Sequence, residues 1–171
     1  MMHSEPVDTS EPSTRDEAPS NQSTNWCVLS KEALDGGESP TTMRLHDWVQ
    51  GREVLMLVDS GSSHSFICES LATQLQGVVK DKHPLAVWVA NDGVMRCDQE
   101  LPACQWQTYG VTFATNLKVL PLGCYDVILG IDWLVQHSPM NVHCLEKTMA
   151  FNYKGGMVHL QGARADVSQC H

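Results

Sequence analysis

From Trp26 onward the chain is made of short apolar–polar alternations broken by turn residues, and in two places the alternation gives way to a mainly apolar run. The first run, Val54-Leu55-Met56-Leu57-Val58, predicts a strand buried on both faces, and it stops at Asp59-Ser60-Gly61. The second, Tyr125-Asp126-Val127-Ile128-Leu129-Gly130, also ends at a glycine but has no acid in the place of Asp59. Alternating segments predict further strands at Trp26–Ser30, Thr42–Val49, Pro84–Ala90, Val94–Cys97, Ala103–Thr108, Val111–Leu120, Met140–Cys144, Thr148–Tyr153 and Met157–Leu160. Turn signals separate them at Gln50-Gly51-Arg52, Asn91-Asp92-Gly93, Tyr109-Gly110 and Gly155-Gly156. The polar stretch Lys31 to Pro40 reads as a loop. Helical spacing at Ile67, Leu71, Ala72 and Leu75, with a stop at Gly77, predicts one short helix. Trp133 to His137, capped by Asp132 and ended before Pro139, predicts another. Many short strands with two short helices predict an all-β, barrel-like domain, and the two glycine-ended runs mark two related halves.

Composition narrows the picture. At 171 residues the chain holds one ordinary domain plus tails. Residues 1–25 are mostly Ser, Thr, Pro, Glu and Asp with a single valine and no aromatic, too little apolar surface to offset ordering entropy, and read as a disordered acidic segment. Residues 26–162 form the folded domain and 163–171 a polar tail. The net charge of −9 argues against nucleic-acid binding through a basic patch, and the scattered Lys and Arg leave no footprint for anionic lipid. No stretch approaches the ~20 apolar residues of a membrane span. Seven cysteines without a Cys-x-x-Cys pair fit reduced thiols, and with no signal-peptide pattern the expected location is cytoplasmic.

The chemistry gathers at Asp59. A carboxylate ending a dry strand is costly unless it is paired or hydrogen-bonded, so its presence demands a reason. Ser60 supplies a hydroxyl and Gly61 a tight turn, and a strand followed by Asp-Ser/Thr-Gly is the arrangement of aspartic proteases. With Asp126-Val127-Ile128-Leu129-Gly130-Ile131-Asp132-Trp133-Leu134 and the intervening Val87-Trp88-Val89-Ala90-Asn91-Asp92-Gly93, the run Leu57 to Ile67 resembles the retropepsin-like aspartic proteases. More narrowly, it is similar to the protease domain of gypsy-type LTR retrotransposon Gag-Pol polyproteins. The likeness spans roughly Trp26 to Gly162. It implies a retropepsin-like acid protease barrel with short helices after the Asp-Ser-Gly and Ile-Leu-Gly motifs.

The resemblance also implies roles. Asp59, Ser60 and Gly61 are the catalytic motif, and because a single chain offers one such acid, a homodimer must complete the pair. Ser60 is expected to brace the two active-site loops, and Ser62 to hydrogen-bond Asp59. Ala90, Asn91, Asp92 and Gly93 are the expected flap over a polypeptide substrate, and Val127 and Ile128 the pocket walls. The substrate is a Gag-Pol-like polyprotein, cut inside the cell or in virus-like particles, and no cofactor or metal is called for. The rival reading is an inactive, transposon-derived dimerisation or interaction module with the same fold. A serine-hydrolase reading of Gly61-Ser62-Ser63-His64-Ser65 fails the Gly-x-Ser-x-Gly elbow at its last position. His137, His143 and Cys144 match no ordinary zinc spacing.

Overall fold

The computed structural model describes residues 27–90 and 92–163. The expected disordered segment 1–25, Trp26, Asn91 and the tail beyond Ala163 lie outside the described residues.

Strands β2 (Thr42–Val49) and β3 (Arg52–Asp59) form an antiparallel hairpin in which Thr42 pairs with Asp59 and Val49 with Arg52. On its other edge β3 pairs parallel with β8 (Val127–Leu129), so the two apolar runs lie side by side. From β8 the hydrogen bonding passes to β4 (Phe66–Cys68), then β7 (Val111–Leu120), then β6 (Val94–Thr108), and from β6 back to β2. That cycle closes a barrel, and the all-β expectation holds. Outside it, β5 (Val79–Val89) pairs with β6, and β1 (Cys27–Leu29) runs parallel to the end of β5. Strands β9 (Met140–His143), β10 (Thr148–Tyr153) and β11 (Gly156–Gln161) make a separate antiparallel sheet.

The first apolar run is continuous because β3 separates two cores. Met56 and Val58 join the larger cluster, while Leu57 between them joins the smaller one with Cys27, Leu29, Phe66, Val87 and Ile128. Burial of each such side chain stabilises the fold by roughly 1.5–3 kcal/mol relative to exposure. In the larger core Trp106 stacks on Phe113 at 4.7 Å, and Trp133 packs on both and on Phe151. Trp133 belongs to α3 (Ile131–Gln136), so this aromatic group pins the helix that leaves Gly130.

Several local expectations give way to tertiary context. The segment expected as a polar loop contains α1 (Lys31–Asp35), capped by Ser30, whose Oγ accepts from Ala33 N at 3.0 Å. Only Ala33 of that helix is buried, too little to leave an apolar period. Ile67 has helical spacing to Leu71 yet sits in β4, paired with Val119 and Val127, and α2 is confined to Glu69–Ala72. Strands expected separately at Val94–Cys97 and Ala103–Thr108 are one, because a bulge between Leu101 and Cys104 absorbs Pro102. The last hairpin turns at Lys154-Gly155 (φ 51° and 81°), with Gly156 already in β11. Gly130 rather than Asp132 is the N-cap of α3. Cys27, Cys68, Cys97 and Cys104 are buried thiols and Cys144 an exposed one, but Cys124 is disulfide-bonded, against the expectation of reduced thiols throughout. Among the described residues no helix is long and apolar enough to cross a membrane.

Where β8 ends, the chain passes very close to the loop that follows β3. A Cβ on Gly130 would lie 2.2 Å from the His64 carbonyl oxygen and 2.6 Å from that of Ser62. Both obstacles are backbone, so neither can swing aside. Gly130→Ala is expected to destabilise by about 3 kcal/mol or more, read from the urea midpoint, while Gly123→Ala, with nothing within 4 Å, leaves it nearly unchanged.

Asp47 on β2 is 1% exposed, and neither of its oxygens has a hydrogen-bond partner among the described residues. Burial pushes its carboxyl from the ordinary 3.8 up to about 6, offset only in part by the nearby Thr108 hydroxyl and His46. A folded-state value above the unfolded one means the folded chain holds the proton more tightly. This contribution is present below about pH 4 and lost as pH rises through about 6. Asp47→Asn should therefore raise stability at pH 7 by roughly 2 kcal/mol, with the gain fading toward pH 4 in thermal melts.

Candidate active site

Asp59 is the last residue of β3 and is 1% exposed, although the two residues after it, Ser60 and Gly61, are exposed. Among the described residues three donors meet its carboxylate. The Gly61 N–H donates to Oδ1 at 2.9 Å, the Ser62 hydroxyl to Oδ2 at 2.8 Å, and the Ser30 hydroxyl also to Oδ2. The tight turn at Gly61 makes this possible by folding the chain back so that its own amide and the next hydroxyl point at the acid. A carboxylate held by several donors avoids the penalty of an unsatisfied buried charge.

The loop is stitched to the second apolar run. The Ser62 carbonyl accepts from Ile131 N at 2.8 Å. Asp132, expected as a helix cap, instead reaches across: Oδ1 accepts from the Ser65 hydroxyl at 2.7 Å and Oδ2 from Ser65 N at 3.2 Å. Ser65 Oγ in turn accepts from Gly130 N at 3.1 Å. Asp59 therefore stands on a loop fixed from both halves of the barrel.

The other expected residues fall around this point. Ser60, exposed, lines a cavity of about 210 Å³ with Met43, Val58, Leu134 and Val142. The residues expected as the flap form the β5–β6 turn, closed by Asp92 N to Val89 O (3.1 Å) and Val89 N to Gly93 O (3.0 Å). Ala90 and Asp92 are exposed and Gly93 is half-buried; Asn91 lies outside the described residues. Val127 and Ile128 are fully buried on opposite faces of β8, so Ile128 shares a cluster with Leu29 while Val127 turns into the larger core.

Two roles in this arrangement have no mark in the sequence, those of Ser30 and Ser63. Ser30 ahead of Lys31-Glu32-Ala33 has the look of an N-cap, but nothing local ties it to an acid so far along the chain. Ser63 exchanges hydrogen bonds with β1: Val28 N donates to its Oγ at 2.7 Å and its own N donates to Val28 O at 2.9 Å. Ser63 Oγ also lies 2.8 Å from His64 Nδ1, and burial lowers the proton affinity of that imidazole. His137 packs on Trp133 at 4.7 Å, and His143 Nδ1 accepts from Glu146 N, so these histidines are engaged in packing and turn contacts. Among the described residues no group of three or more His, Cys, Asp or Glu is placed to hold a metal.

The geometry is thus a single buried carboxylate on a braced loop, with a hairpin arm nearby. No curated protein sequence matches the chain. Among solved structures, the retroviral protease-like domain of Ddi1 from Leishmania major shares the fold, with a TM-score of 0.51 and 15% identity over 70% of this chain and 94% of that one. The model of the retroviral aspartyl protease family matches residues 28–156, most of the chain and every element from β1 to β10. The chain belongs to the retroviral aspartyl protease family.

Proposed function

We propose that this chain is an aspartic endopeptidase active as a homodimer, in which each copy contributes Asp59 to one catalytic pair. The observation that carries the reading is the carboxylate itself: a buried acid at the end of a strand, oriented by Gly61 and Ser62 on a loop braced through Ser65, Asp132 and Gly130. Two such carboxyls within a few Å share one proton, because like charges that close do not both ionise. The ionised member takes a proton from a water whose oxygen attacks the peptide carbonyl carbon, while the protonated member donates to the carbonyl oxygen. The proton taken from water then goes to the amine as the C–N bond breaks.

A single chain has one acid to offer, so a two-fold axis beside Ser60 completes the site. Apolar surface supports an interface there. Val142, 48% exposed, borders the cavity that Ser60 lines, and on α3 Ile131 and Val135 are 40% and 65% exposed. The Ser60 hydroxyl, exposed in one chain, would bond the facing loop of the second copy. The flap residues Ala90 to Gly93 would close over an extended peptide bound as an added strand. On this reading the substrate is a polyprotein of retrotransposon Gag-Pol type and the setting is intracellular.

One observation favours a second reading, a catalytically silent dimerisation module. In the single chain Asp59 is 1% exposed, with the Ser30 hydroxyl against it. A serine nucleophile is disfavoured, because Ser63 Oγ is already engaged by Val28 N and its neighbouring imidazole has no carboxylate hydrogen-bonded to it among the described residues.

Asp59→Asn is expected to lower cleavage of a Gag-like peptide at least ~1000-fold while sedimentation still reports a dimer. Pepstatin should inhibit the wild type, and the rate should peak at mildly acidic pH. A dimer of intact fold that cuts no peptide would establish the silent module; loss of activity to a serine-directed reagent would point to Ser63 instead.

A further inference from the structure

Strand β1 lies between the end of β5 and the loop that follows Asp59. Along one edge it is the neighbour of the arm that ends in the flap, with Val28 beside Trp88 and Leu29 beside Val89. Along the other edge it meets the aspartate loop through the double hydrogen bond between Val28 and Ser63. Two residues on, Ser30 donates from its N–H to Ser62 Oγ at 3.0 Å and from its hydroxyl to Asp59 Oδ2. Cys27 and Leu29 are fully buried in the smaller cluster, and Val28 between them is 38% exposed. Main-chain bonds along both edges with alternate side chains in pockets is how an extended peptide is held by strand addition.

The rest of the segment has its own anchorage. After Ser30 the chain turns into α1, whose far end is tied down at Gly36 and Gly37: Arg44 Nη2 donates to Gly36 O at 2.8 Å, and the Tyr125 hydroxyl to Gly37 O at 3.2 Å. Toward the barrel, the polar contacts of β1 and Ser30 go to Asp59 at the end of β3 and to Ser62 and Ser63 in the loop that follows it.

We propose that β1 with Ser30 is an intramolecular occupant of the peptide groove, a strand of this chain that competes with substrate for the floor beside Asp59. The groove opens when the segment leaves, and what it then accepts is an extended peptide with apolar residues at alternate positions. The consequence for cleavage rests on the peptidase reading above; the occupancy does not. A groove filled nine-tenths of the time by its own strand binds an outside peptide about tenfold more weakly than an empty one.

The test uses the full chain carrying Val28→Pro, which removes the N–H given to Ser63, and a labelled synthetic peptide of residues 25–32 as probe. Fluorescence anisotropy should show the peptide binding the variant at least about tenfold more tightly than the wild type, and a Leu29→Asp version of the peptide should not bind. In the peptidase assay the variant should have a KM lowered by a similar factor at unchanged kcat. If Val28→Pro does not fold, Ser30→Ala carries the peptide-binding measurement alone. Equal peptide affinity for variant and wild type, or no binding to either, overturns the proposal even if the protein cuts peptides. Tighter binding to the variant with no cleavage by any form supports the occupancy and overturns the peptidase reading alone.

Discussion

A buried carboxylate must be given donors, and the way Asp59 obtains its own organises the centre of this molecule. One comes from the backbone two residues on and one from the hydroxyl three residues on, so the turn after β3 has a single workable shape. That shape puts the Ser62 and His64 carbonyls against the second apolar run, leaving room at Gly130 for nothing larger than hydrogen. Satisfying one charge therefore fixes how the two halves of the barrel meet. The contacts through Ser65 and Asp132 extend the same logic, because each polar group drawn inward to hold the loop is itself held.

The second constraint is that β3 carries two cores. Its alternate residues serve opposite clusters, and the carboxylate emerges where both clusters end. The larger cluster, built on Trp106, Phe113, Trp133 and Phe151, sets α3 and with it the Gly130 crossing. The smaller is closed by Cys27 and Leu29 of β1. Its completeness thus depends on a three-residue strand at the start of the described chain, so the side of the site facing that strand is the one with least of the barrel behind it.

The strand framework was legible in the sequence because half-buried strands leave a period of two. The need of Asp59 for donors was legible because a charge closing an apolar run is costly unless it is hydrogen-bonded. Local pattern hid α1, where only Ala33 is buried, and it misled at Ile67, whose spacing to Leu71 and Leu75 is helical although its neighbours in space are Val119 and Val127. Asp132 looked like a cap because an acid before a helix usually is one; its bond to Ser65 is a long-range contact that no local pattern encodes. Ser30 was hidden for the same reason. Register between distant segments is decided by packing, and a hydroxyl carries no mark of which acid it will meet.

That hidden contact changes what the visible motif means. An acid at 1% exposure with three donors is well solvated by protein and poorly placed to meet a water, so the motif alone describes a carboxylate at rest. On the proposed reading two separate events bring it into play: a second copy supplies the partner acid beside Ser60, and Ser30 withdraws from Oδ2. The first approaches from the exposed face of the loop and the second from the smaller core, so neither obstructs the other. On that reading the chain is quiet as a monomer for want of half its dyad and, even when paired, through the strand proposed to lie in its groove.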